Sequence, residues 1–181
     1  DRDVTGVQTC ALPISSDDDI RVFNQFAVFG NPSFHYNVTG RAMQEVYEKK
    51  LKTARSSLAG VFSCTGSGGT IACGDYLKEQ YPDFKIAAGE ALQCPTMMNN
   101  GFGGHMIEGI GDKHIPWIQN IRNHDAVGAI DDAHCMRILR LFSSDAGHEC
   151  LKAHAVPEPI IHSLELFGVS GIANMLGAIK M

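Results

Sequence analysis

Cys64-Thr65-Gly66-Ser67-Gly68-Gly69-Thr70 is the stretch that decides the fold of this chain. An apolar, strand-like segment, Ala59 to Phe62, precedes it, and a helix-like segment, Ile71 to Gln80, follows it. Glycines let an anion approach the backbone because they lack Cβ. The first turn of the following helix adds unpaired amides and about half a unit of positive charge. The stretch is therefore predicted to be a phosphate-binding loop between a strand and a helix.

Two common nucleotide motifs do not fit this loop. A Walker loop has a lysine just before its final serine or threonine, where this chain has Gly69. No G-x-G-x-x-G with a downstream ribose-binding acid fits cleanly either. The expected ligand is a small phosphorylated cofactor rather than a nucleotide. Taken alone, the stretch also fits a plain tight turn.

The composition bounds the class of protein. With 181 residues, of which 44% are hydrophobic, the chain is able to bury a core. Its formal charge of −5 gives no basic surplus for nucleic acid or for an anionic membrane. No apolar run approaches the roughly 18 to 20 residues that cross a bilayer, and the N-terminus lacks the order of a secretion signal. The expectation is a cytoplasmic protein without nucleic-acid or membrane partners.

Cysteines and histidines give no sign of a metal or disulfide framework. The six cysteines form no C-x-x-C pair and are interpreted as reduced thiols, mostly buried. The eight histidines are dispersed, and no pair such as His148 and His154 has the i, i+4 spacing that places two imidazoles on one helical face. No metal site is predicted.

The chain divides at residue 19. Residues 1–19 show neither a helical nor a strand period, and they are similar to translated sequencing-adapter strings. They are interpreted as a foreign or disordered leader and are excluded from the fold prediction. Residues 20–181 are predicted to form part of one domain, the part that binds the cofactor phosphate.

Strands and helices alternate after residue 20. A strand near Ala59, the loop with its helix, and a second strand, Phe84 to Gly89, make a βαβ unit, which implies parallel pairing in a sheet covered on both faces. The fold class is therefore α/β, a three-layer parallel sheet with helices on both faces. Other predicted features are a turn at Gly30-Asn31-Pro32, a helix from Thr39-Gly40 to Leu51, a long loop over Asn99 to Gly111, a strand over Ala126 to Ile130, a helix capped by Asp131-Asp132 and a helix from Pro157 to near Phe167.

Several blocks of sequence together resemble one family. They are Asn24-Gln25-Phe26 with Gly30-Asn31-Pro32, His35-Tyr36 and Thr39-Gly40; the glycine loop; His105 to Gly111 with Ile115-Pro116; and Gly168-Val169-Ser170-Gly171. In order and spacing the set resembles the fold type II pyridoxal-phosphate enzymes, the cysteine synthase and tryptophan synthase β-like group. The resemblance runs from about Phe23 to the end of the chain.

The resemblance implies a tryptophan synthase β-like fold, pyridoxal 5′-phosphate as cofactor, a small amino-acid substrate and a homodimeric parent protein. It assigns Ser170 to the pyridine nitrogen and Asn24 and Gly109 to substrate binding. The cofactor phosphate would be held by Gly66, Ser67, Gly68, Gly69 and Thr70.

The implied ring contact carries chemical information. A neutral hydroxyl, as on Ser170, does not keep the pyridine nitrogen protonated as a carboxylate would, so the ring is a weaker electron sink. In the group this favours loss or exchange of a substituent at Cβ over transamination. The expected activity is cysteine synthase-like β-replacement or β-elimination, with an ammonia-lyase or dehydratase of the same fold as the alternative.

The family's Schiff-base lysine, in an S-x-x-K type segment before the first block, has no counterpart in this sequence. No lysine here lies in a matching context, so no catalytic residue is assigned. The chain is interpreted as an incomplete enzyme that lacks the N-terminal part and residues after Met181. A non-catalytic truncated module is the alternative from another class.

Four residues near the blocks have a plain structural interpretation. His105 and His114 are expected to be hydrogen-bonded structural residues, Cys64 a buried thiol and Trp117 a packing anchor. The turn Gly109 to Gly111 is instead predicted to be a mobile loop at the site.

Overall fold

A computed structural model describes residues 24–181. The leader predicted over residues 1–19 lies outside the described residues. No single helix in the described part of the chain is long and apolar enough to cross a bilayer.

A long helical segment opens the described chain. Helix α1 (Gly30–Phe34) continues through a π-helical turn, His35–Thr39, into α2 (Gly40–Val46) and a second π-helical turn, Tyr47–Leu51. The turn predicted at Gly30-Asn31-Pro32 is therefore wrong, because these residues form the first turn of the helix. Proline is compatible with a first turn, where its missing N–H would have no helical partner.

A three-stranded parallel sheet forms the centre of the molecule. Its strands are β1 (Gly60–Cys64), β2 (Lys85–Ala91) and β3 (Ala126–Ile130), in the order β1-β2-β3. In the register Val61 pairs with Ile86, and Ala88 pairs with Val127. Helix α3 (Ala72–Gln80) connects β1 to β2, which confirms the predicted βαβ unit.

The remaining helices are α4 (Thr96–Asn99), α5 (Asp132–Ser143), α6 (Asp145–Ala153), α7 (Glu158–Leu164) and α8 (Val169–Lys180), with a 3₁₀ turn at Ile121–Asn123. The predicted cap of α5 is confirmed, because the Asp131 carboxylate accepts a hydrogen bond from the Ala133 amide at 2.9 Å. The helix predicted to begin at Pro157 is α7, but Pro157 is its N-cap and the helix itself begins one residue later, at Glu158.

Both faces of the sheet are covered. Because successive strand residues point to opposite faces, Ile86 and Ala88 pack with Leu77 of α3 in one cluster. On the other face a second cluster joins Ala91 and Ile130 to α5 and α8. The structure confirms the predicted three-layer α/β architecture.

The described cysteines are free thiols, as predicted. Cys73, Cys94 and Cys135 are buried, Cys64 is half-buried and Cys150 is exposed. Buried thiols of this kind pack as small apolar groups.

The Asp125 carboxylate, just before β3, contacts α3 and β2. This contact predicts how the stability of the fold depends on acid pH. Its carboxylate accepts hydrogen bonds from Lys78 Nζ and the Ile86 amide, both at 2.8 Å. The Lys78 ammonium, and after it the amide, lower the pKa of Asp125 to about 2. A depressed pKa in the folded state means that Asp125 stabilises the fold above pH 4 and that this stabilisation is lost as the pH falls towards 2. Asp125→Asn should cost on the order of 1 kcal/mol at neutral pH and flatten this acid dependence.

The measurement is the free energy of urea unfolding between pH 2 and pH 7, taken in roughly half-unit steps. Exposed Asp83, which precedes β2, gives the matched control Asp83→Asn. An Asp125→Asn protein with the same pH dependence as the wild type would contradict the assignment.

Candidate functional site

The predicted phosphate loop lies between β1 and α3 and is anchored at its start. The Thr65 amide donates to the Gly89 carbonyl at the end of β2, at 2.9 Å. The Gly111 amide donates to the Thr65 carbonyl at the same distance. The loop is thus attached to the neighbouring strand and to the glycine-rich turn that follows α4.

The loop contains a run of unpaired amides. The Ala72 amide, where α3 begins, donates to the Gly69 carbonyl, but the amides over residues 66–71 donate to no other residue of the described chain. Gly68 and Gly69 are buried. Buried backbone N–H groups are almost always paired, and an unpaired run before a helix is the geometry that binds anions. The loop therefore fits a phosphate group.

Two amide side chains flank the loop. Asn31 donates through Nδ2 to Ser67 Oγ at 3.1 Å and to the Gln25 carbonyl at 2.8 Å, and a Cβ on Gly69 would overlap it. On the other side, buried Gln119 lies 2.7 Å from the place of a Cβ on Gly68, whose φ is +77°. Both positions therefore require glycine. Gly69 is required for space, and Gly68 is required for space and for its backbone conformation.

Ser170 lies in the first turn of α8 and is exposed. The N-cap of this helix is Gly168, and no side chain caps it, so Ser170 is not the N-cap. Asn174 donates through Nδ2 to the Ser170 carbonyl at 2.8 Å and accepts through Oδ1 from the Cys64 amide at 2.7 Å. The structure thus brings the Ser170 turn to the start of the phosphate loop.

The two predicted substrate residues are placed differently. Gly109 has a φ of +84°, and its carbonyl oxygen would lie 3.5 Å from a Cβ on Gly66, so its turn lies against the phosphate loop. The side chain of Asn24 accepts from the Phe26 amide at 3.0 Å within its own turn. The neighbouring Gln25 is instead linked to the loop through Asn31, which donates to the Gln25 carbonyl and to Ser67 Oγ. Substrate binding by Asn24 and Gly109 stays a prediction.

A small cavity opens beside the loop, lined by Thr65, Gly66, Glu90, Cys94, Thr96, Met97, Gly111, Asp112, His114, Ile115, Pro116 and Gln119. Its buried carboxylate, Glu90, is satisfied because it accepts from the amides of Met97 at 2.8 Å and Met98 at 3.0 Å. Asp112 and His114 add titratable groups at its edge. Sequence reasoning gave no role to Glu90 or Asp112.

His105 differs from the prediction. Its Nδ1 is buried and has no hydrogen-bond partner among residues 24–181, so it is not the hydrogen-bonded residue that was expected. The ring instead packs through Nε2 against Gly111, whose missing Cβ and φ of +85° allow that approach.

Cys64, predicted to be buried, is half-buried. Burial, and after it the nearby Cys135, raises the pKa of the Cys64 thiol to about 12, so the neutral thiol is favoured at physiological pH. Trp117, predicted to be a packing anchor, packs edge-on against Phe29 with ring centroids 4.7 Å apart, but it is 66% exposed and lies outside the core.

The fold and the loop together define a class of protein. The chain has the cysteine synthase-like α/β fold of the fold type II pyridoxal-phosphate enzymes, as the sequence blocks implied. Among solved structures, a hydrogen sulfide-producing enzyme from Fusobacterium nucleatum matches 96% of this chain and 46% of its own with a TM-score of 0.71 and 25% identity. A cysteine synthase from Entamoeba histolytica matches 96% of this chain and 44% of its own, with a TM-score of 0.72 and 22% identity.

The homologues of the chain are cysteine synthases and a cystathionine beta-synthase. It is 28% identical to cysteine synthase 3 of Caenorhabditis elegans over 87% of this chain and 40% of the relative. It is 29% identical to cystathionine beta-synthase of Saccharomyces cerevisiae over 70% of this chain and 26% of the relative. The chain therefore spans less than half the length of these curated relatives. It matches no model of a protein family.

Proposed function

We propose that this chain is part of a pyridoxal-phosphate-dependent enzyme that replaces or eliminates a substituent at Cβ of a small amino acid. The observation that carries the proposal is the run of unpaired amides over residues 66–71 at the start of α3. The homology to cysteine synthases and to a cystathionine beta-synthase supports it.

Each end of the cofactor has a proposed partner. The amides of the loop would hold the phosphate, together with the hydroxyls of Ser67 and Thr70, and the helix start would stabilise its charge. The exposed Ser170 hydroxyl would hydrogen-bond the pyridine nitrogen. When bound, pyridoxal phosphate supplies an electron sink for bonds at the α-carbon of the substrate.

The protein's own contribution is orientation and selection of the reaction. The neutral Ser170 hydroxyl would not keep the ring nitrogen protonated, which would favour chemistry at Cβ over transamination. The Gly109 turn, which lies against the loop, would position the substrate beside the cofactor. Asn31 would orient the Ser67 hydroxyl, to which it donates.

No lysine of this sequence is assigned to bond the cofactor. Lys78, the lysine of α3, is engaged by Asp125 and by the Asn123 carbonyl, at 2.8 and 2.9 Å. It belongs to the sheet contacts rather than to the loop.

A binding experiment tests the proposal with the chain as it is. Pyridoxine 5′-phosphate has no aldehyde, so its binding reports non-covalent contacts alone. Its affinity in equilibrium dialysis should exceed that of pyridoxine by at least about 100-fold, because several charge-assisted hydrogen bonds are made only to the phosphate. Inorganic phosphate should compete.

Equal affinities for pyridoxine and its phosphate would contradict the proposal and favour the non-catalytic alternative. For the full-length protein, turnover of O-acetylserine with sulfide would distinguish β-replacement from an ammonia-lyase or dehydratase, which would consume serine or threonine instead.

A further inference from the structure

We propose that Asn174 is a positioning residue that sets the distance between the two cofactor contacts, the phosphate loop and Ser170. The inference rests on the proposed function. Sequence reasoning gave no role to Asn174, and the residue is not expected to touch the cofactor itself. Both polar atoms of its amide are used within the protein, since Oδ1 accepts from the Cys64 amide and Nδ2 donates to the Ser170 carbonyl.

The first step of the argument is the alignment of α8 with β1. Gly177 lies against the ring of Phe62, and Asn174 lies against the amide of Cys64. Helix α8 therefore runs antiparallel to β1, and the start of α8 lies near the end of β1. Residues at i, i+4 and i+7 share one helical face, so Ser170 continues the face that carries Asn174 and Gly177.

The second step is the distance along this face. Four helical residues rise by about 6 Å, and two strand residues advance by about 6.6 Å. Ser170, four residues before Asn174, therefore lies beyond the end of β1, on the side where the phosphate loop begins.

The third step is the directionality of the tether. The apolar contacts between α8 and the sheet, such as Ile172 in its buried cluster, resist separation but fix no exact position along the helix axis. The hydrogen bond from the Cys64 amide to Asn174 Oδ1 depends on distance and angle, and it joins β1 to α8. The bond from Nδ2 to the Ser170 carbonyl lies within α8 and orients the Asn174 amide. A cofactor with a rigid ring contacts the phosphate loop and Ser170 at once only if their separation is correct. A displacement of about 1 Å between them therefore loses the ring contact.

Asn174→Leu tests this role because it removes the acceptor for the Cys64 amide and with it the hydrogen bond that joins α8 to β1. Two affinities are measured by equilibrium dialysis: that of inorganic phosphate, which reports the loop, and that of pyridoxine 5′-phosphate. The ratio of the two reports the ring contact. We expect the ratio to fall about tenfold, as for one lost hydrogen bond, with phosphate affinity within about threefold of the wild type.

Asn174→Asp separates the tether from a general effect of substitution at this position. Its carboxylate still accepts from the Cys64 amide, so the ratio should stay within about threefold of the wild type. Asn174→Ala also removes the acceptor and serves if the leucine variant does not fold. Ile179→Ala, at an exposed position of the same helix, is the control.

Three results would overturn the inference: an unchanged ratio in Asn174→Leu, an equal loss of phosphate and ring affinity in that variant, or a loss in Asn174→Asp as large as in Asn174→Leu. Failure of the proposed function looks different. In that case the wild type itself binds pyridoxine 5′-phosphate no better than pyridoxine, and both proposals fall together.

Discussion

Gly69→Ala is expected to lower the affinity for pyridoxine 5′-phosphate by about 100-fold or more, the largest effect predicted for any single substitution in the site. A Cβ at this position overlaps the side-chain amide of Asn31. Either the loop or Asn31 must move, and Asn31 donates to Ser67 Oγ, so both responses displace groups that are proposed to hold the phosphate. Loss of two charge-assisted hydrogen bonds, at about 1.5 to 3 kcal/mol each, accounts for the size of the effect.

Gly104→Ala is the matched control for this substitution. A Cβ on Gly104 meets no atom within 4 Å, so the same chemical change should leave affinity unchanged. The double variant Asn31→Ala with Gly69→Ala shows whether space is the cause, because it removes the overlapping atoms and should recover part of the affinity. Wild-type affinity in Gly69→Ala would mean that Asn31 does not define the loop.

The sheet and its crossover could be predicted from sequence because their signals are local. The strands beside Ala59 and Phe84 are short apolar runs, and the helix between them has a clear start at the glycine loop and a stop before Pro82. The cap at Asp131 is local in the same way. Two parallel strands joined by one helix leave few arrangements open, which is why the three-layer architecture followed.

The start of the first helix could not be predicted in this way. Glycine, asparagine and proline in succession usually form a turn, and Gly30-Asn31-Pro32 was interpreted as one. The structure shows that Asn31 contacts Ser67, and Pro32 is buried. This tertiary packing stabilises a helical first turn that local propensity does not favour.

The polar framework of the site depends on contacts between distant segments. Asn174 and Cys64 are separated by 110 positions, and Asn31 and Ser67 by 36. Gln119 follows an ordinary apolar run, and nothing in its neighbours indicates that it will lie against Gly68. Sequence blocks identified the residues predicted to contact the cofactor, but the side chains that hold those residues in place became visible only in the fold.

Gly177→Ala is expected to destabilise the protein by about 2 kcal/mol, although alanine is the better helix former. Gly177 is buried in α8, and a Cβ there overlaps the ring of Phe62, which also lies against Gly89 and Gly128 of the sheet. Because the ring already fills the space left by the glycines of β2, β3 and α8, it has no free space to move into. Overpacking costs about 1 to 3 kcal/mol, more than the roughly 1 kcal/mol gained in helix propensity.

Gly171→Ala, in the same helix, separates packing from propensity. A Cβ there meets Phe167 at an ordinary 3.4 Å, so this variant should be stabilised by about 0.5 to 1 kcal/mol in urea unfolding. The same glycine-to-alanine change is thus expected to lower the free energy of unfolding at position 177 and to raise it at position 171. Phe62→Leu should reduce the cost of Gly177→Ala, because the two residues are in contact and their effects are not additive. If Gly177→Ala were as stable as Gly171→Ala, α8 would not pack tightly on β1, and the alignment that places Ser170 beyond the end of β1 would lose its basis.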